Sequence, residues 1–84
     1  MVYCVITDII LSTDVFSCPH RGTIRLVKKG DIPLPKPIHS SSATHSYDET
    51  CFTNLAEAKE NFGLVVSGWR SNSGGSGIKA VDET

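Results

Sequence analysis

No long hydrophobic run, no Cys-x-x-Cys pair and no excess of charge of either sign occurs in this 84-residue chain, and each absence narrows what it can be. Nothing approaches the roughly 20 apolar residues of a membrane-spanning helix. A net charge of −1 excludes a strongly basic nucleic-acid binder and equally a polyanionic nucleic-acid mimic. The first apolar stretch, residues 2–11, lacks a positive flank, is interrupted by Asp8 and is followed by no small-residue cleavage site, so it does not read as a secretory signal. Cys4, Cys18 and Cys51 form an odd set at wide spacing, which argues against a disulfide framework and for reduced thiols. A cytoplasmic chain with no membrane association is therefore expected.

Signatures of catalysis are also missing. No Gly-x-Ser-x-Gly elbow is present to expose a nucleophile. The run Gly74-Gly75-Ser76-Gly77-Ile78-Lys79 is not a phosphate cradle, because Ile78 separates the last glycine from the lysine and Ala80 stands where Ser or Thr belongs. No catalytic residue and no cofactor is assigned.

What is present fits one small globular unit. Hydrophobic residues at 39% and charged residues at 20% suit a folded chain rather than a disordered one. A domain of this size buries about 60% of its unfolded surface, so modest stability is expected. Residues 2–11 are rich in β-branched side chains and predict a strand. Residues 12–21 read as an irregular loop around Pro19. In 22–29, Ile24 and Leu26 alternate with Thr23 and Arg25, as on a half-buried strand. Residues 44–52 predict a third strand. Asn54 followed by Glu57 three positions later is a capping-box pattern, and Leu55, Ala58 and Phe62 form an apolar helical stripe, with Gly63 as its left-handed stop. Residues 64–70, opening on Leu64-Val65-Val66, read as the next strand, and 78–81 as a short last one.

The fold class is thus α+β, a single domain over 1–84 of order β-β-β-α-β with a further short strand. It is a mostly antiparallel sheet with one short helix on one face. Two loops punctuate it: a Pro/Ser-rich loop at 32–46, of which 33–46 is expected to be the most mobile interior part, and a flexible Gly/Ser loop at 71–77. In this reading the two best strands, 2–11 and 64–70, lack the alternation of a strand with one wet side. Apolar surface is left without cover, to be met by loops, a second copy or a partner.

Three histidines and three cysteines invite a zinc reading centred on Cys18 and His20, although no spacing of a familiar zinc module occurs. Cys4 and Cys51 fall in strands, where cysteine commonly serves as a small hydrophobe. Basic side chains together with Tyr47 and Trp69 offer a second alternative, nucleic-acid binding, offset by nine acidic groups against eight basic ones. The leading expectation is a small non-catalytic protein-interaction module. It would be a bacterial or phage accessory factor or inhibitor that acts by surface occlusion, as a homodimer or complex subunit. Tyr47, Trp69 and Arg70 are the expected partner-binding residues, being the types most enriched at binding hot spots.

Overall fold

A central strand flanked on both sides organises the molecule. The computed structural model describes residues 1–11, 20–73 and 77–84. Strand β1 (Val2–Ile10) pairs antiparallel with β2 (Arg21–Gly30) on one side and β4 (His45–Phe52) on the other. A short β3 (Ile38–Ser41) adds antiparallel to β4, and β5 (Ile78–Asp82) adds parallel to β2. The sheet order is β3-β4-β1-β2-β5. Helix α1 (Leu55–Ser73) connects β4 to β5, two strands that run parallel with β1 and β2 between them. The α+β class, the largely antiparallel sheet and the helix on one face agree with the sequence reading.

Side chains alternate across the sheet. Val5 and Ile9 of β1, Ile24 and Leu26 of β2 and Ile78 of β5 are buried on one face around Ala58 of the helix. Phe62, Val65, Val66 and Trp69 pack against the same cluster. The helix begins as the sequence indicates: Asn54 Oδ1 accepts from the Ala56 amide at 2.8 Å and the Glu57 amide at 3.4 Å, satisfying two donors that the first turn leaves open.

It does not stop at Gly63. Residues 64–70, expected as a strand, are helical, and the left-handed backbone expected at Gly63 does not form. The physical reason lies in the spacing: Ala58, Phe62, Val65, Val66 and Trp69 recur at intervals of three and four, one stripe of a continuous helix. Leu64, which made the run look like a strand buried on both sides, is 67% exposed on the solvent side. The helix is 19 residues long, about 28 Å at 1.5 Å per residue, so it covers far more of one face than a two-turn helix would.

Three further expectations are corrected. The Pro/Ser-rich segment at 32–46 is not a loop throughout, since β3 forms inside it and β4 starts at His45. Its serines build the connecting turn: the Ser42 amide donates to the His45 carbonyl at 2.8 Å, and Ser42 Oγ accepts from the amides of Thr44 at 3.3 Å and His45 at 3.1 Å. The prolines precede β3, where they demand no ladder donor. The reading of reduced thiols is overturned for one pair. Cys4 and Cys51 are directly opposed across β1 and β4 and joined by a disulfide, their Cα atoms 4.0 Å apart at a sequence separation of 47. Of the loop expected at 71–77, residues 71–73 belong to the helix, and 74–76 lie outside the described residues.

Candidate functional site

The face of the sheet turned away from the helix is built in rows set by strand register. One row runs Ser40, Tyr47, Asp8, Thr23 and Lys79; the next Ile38, Glu49, Ile6, Arg25 and Val81; the third Cys51, Cys4 and Val27. Beyond the first row, Ile10 lies between His45 and Arg21. One end of this outer face is therefore ionic and the other is apolar and sulfur-bearing. At the ionic end His45 Nε2 lies 2.5 Å from Asp8 Oδ1, and Arg25 of β2 donates to Glu83, just past the end of β5, at 2.9 Å. At the other end Val2, Cys4, Val27 and Cys51 form a second buried cluster, with Ile6 packed against it.

Glu49 joins the two ends. Its Oε2 accepts from the Tyr47 hydroxyl at 3.2 Å, while its Oε1 lies 3.9 Å from Cys51 Sγ. Partial burial, then the charge and hydrogen bond of Glu49, hold the Tyr47 phenol above its ordinary pKa, because ionising it would put a second negative charge beside the carboxylate. The two sulfurs and a Glu49 oxygen all lie within 4.8 Å of one another. The two sulfurs are bonded to each other here; only as thiolates, after reduction, would they and the carboxylate make a donor set of the kind zinc accepts.

The helix face carries a different feature. Between α1 and the β1–β4 half of the sheet opens a cleft of about 380 Å³, lined by Val5, Thr7, Asp48, Thr50, Asn61, Val65, Gly68 and Trp69. Asp48 is paired with His39 of β3 at its rim.

The three residues expected to bind a partner do not form one surface. Tyr47 is on the outer face. Trp69 lines the cleft on the opposite face and meets the His20 ring edge-to-face, with centroids 6.1 Å apart and planes at 78°. Arg70, at the end of the helix, donates to the Ile78 carbonyl at 3.3 Å and so ties α1 to β5. Of the expected zinc pair, Cys18 lies outside the described residues, and His20 stands half-buried against Trp69. His39 and His45 each engage a carboxylate instead of each other.

The group that sequence reasoning missed is Cys4, Glu49 and Cys51. Part of the signal was present: Glu49 and Cys51 are two apart in a strand and so share a face. The remaining part, the opposition of Cys4 to Cys51, depends on strand pairing. Comparison with family models, with curated proteins and with solved structures finds no match for this chain. Among the described residues, no helix is long and apolar enough to cross a membrane.

Proposed function

We propose that this chain is a small non-catalytic protein-interaction module, an accessory factor or inhibitor that works by occupying a partner's surface or its own second copy. The observation carrying the reading is a set of exposed aliphatic side chains: Ile10, 62% exposed, and Ile38, 48%, on the outer face, with Leu34, 53%, and Ile32, 44%, in the segment before β3. Large aliphatic side chains left in water add little to the fold's own stability, and exposed apolar surface of this kind commonly marks contact sites. Residues 64–70 are helical and leave no strand face uncovered, so the proposed contact surface lies on β1, β3 and the segment before β3. Face docking is favoured over strand addition, because β3 is only four residues long and is preceded by Pro37, two features that protect a sheet edge.

A cytoplasmic setting belongs to the same proposal. Disulfides in that compartment are usually transient or redox-sensing, so the Cys4–Cys51 pair would cycle between bonded and thiol forms.

Light scattering of the full chain over a concentration series, with co-purification from the host, tests the reading. The wild type should form a dimer or a stable complex, and Leu34→Lys with Ile38→Lys should abolish it while circular dichroism stays unchanged. A strict monomer at high concentration, with no bound protein that depends on these two side chains, would overturn it.

A further inference from the structure

We propose that Cys4, Glu49 and Cys51 form a thiol-gated zinc site, closed by the disulfide and opened by reduction. This does not depend on the interaction reading. Two features support it, the grouping of the three side chains and the hydrogen bond that holds Glu49 in place. The two sulfurs and a Glu49 oxygen lie within 4.8 Å of one another. Glu49 turns one oxygen toward Cys51 Sγ at 3.9 Å, although a disulfide sulfur has no proton to donate to a carboxylate. The Tyr47 hydroxyl holds the other oxygen at 3.2 Å, in the manner of an outer partner that orients a metal ligand. The Glu49 oxygen beside the sulfurs has no bonding role in the disulfide form, and it is placed to become a ligand once the sulfurs are thiolates.

Strand pairing keeps the two cysteines together in either state, because they are directly opposed with Cα atoms 4.0 Å apart. Two thiolates each about 2.3 Å from a tetrahedral zinc are separated by about 3.8 Å, a parting of the sulfurs that rotation of the two side chains would supply. An external dithiol reduces the bond: its two thiols become a disulfide, and Cys4 and Cys51 each gain one electron and one proton. Zinc then displaces the two thiol protons to solvent and takes the Glu49 carboxylate as third ligand, leaving the fourth position to water. Two thiolates, one carboxylate and the divalent ion sum to one negative charge. Tyr47 positions Glu49 and does not touch the metal.

The test uses the full chain in a Cys18→Ser background, reduced with a phosphine and titrated with zinc against a chromophoric chelator. One equivalent should bind the reduced protein and none the oxidised protein, and cobalt(II) in place of zinc should show thiolate charge-transfer absorption. Glu49→Gln should weaken binding by about tenfold or more, and Tyr47→Phe by about tenfold with stoichiometry unchanged. Reduced protein that binds zinc no tighter than the Cys4→Ser, Cys51→Ser variant overturns the site. Unchanged affinity in Glu49→Gln overturns the three-donor arrangement. If the reduced chain unfolds, circular dichroism becomes the readout: recovery on adding one equivalent of zinc, blocked by Cys51→Ser, supports the site, and failure to recover overturns it.

Discussion

The two faces of the sheet are held by different physics. On the inner face, Val5, Ile9, Ile24, Leu26 and Ile78 are buried against a 19-residue helix, and the stabilisation is the ordinary one of apolar area removed from water. On the outer face the buried cluster is small, Val2, Cys4, Val27 and Cys51, and a covalent bond runs through its middle. Elsewhere that face carries ion pairs, a Tyr47–Glu49 hydrogen bond within β4, and the exposed side chains of Ile10 and Ile38. Exposed pairs of this kind contribute little individually. The inner face thus rests on packing alone, whereas the outer face carries the one described element of the fold that a change of redox state alters directly.

The sharpest way to break the comparison is to remove the covalent bond. In the chain-entropy view, closing a loop of this length stabilises the fold by roughly 4 kcal/mol, a large share of what a domain this small possesses. Urea unfolding of the oxidised protein and of the reduced protein, both with a metal chelator present, should show the reduced form less stable by about that amount. A difference below about 1 kcal/mol would mean that the outer face is held by packing after all, and the contrast between the faces would fail.

A smaller effect tests the inner face directly. Leu26 is fully buried under the helix, and Leu26→Ala should cost about 3 kcal/mol through lost transfer energy and the cavity left behind. Ile10 stands on the outer face, 62% exposed, and Ile10→Ala should change stability by about 0.5 kcal/mol or less. Equal losses at the two positions would indicate that Ile10 is covered in solution. For the free chain that requires self-association, so the same unfolding curves measured at two protein concentrations also bear on the interaction reading.

What could be read in advance follows from how local each signal is. The β1, β2, β4 and β5 strands and the Asn54 cap depend on side chains within a few positions of one another, and they appear where the pattern placed them. The second half of the helix was hidden because Leu64-Val65-Val66 satisfies a strand pattern and a helix pattern equally, and Gly63 supplied a false stop. Periodicity separates the two only when Trp69 is counted with Ala58 and Phe62. Strand β3 was hidden by its serines, which look like loop residues but are held by the turn at Ser42. The disulfide and the Glu49 contact are properties of pairing between strands distant in sequence, for which spacing along the chain carries no information.

The smallest effects sharpen the inner face by testing the helix that covers it. Asn54→Ala removes the acceptor used by the Ala56 and Glu57 amides and should cost about 1 kcal/mol. Gly63 gives the opposite sign. It lies inside the helix, has no left-handed backbone to preserve, and a Cβ built there meets no atom within 4 Å. Gly63→Ala should therefore stabilise the protein by up to about 1 kcal/mol, because alanine surrenders less backbone freedom than glycine on entering a helix. Had the chain turned at Gly63 into a strand, alanine there would be destabilising instead. The sign of the Gly63→Ala effect in a urea titration thus decides between one long helix and a short helix followed by a strand, and a loss of stability would return residues 64–70 to the sheet.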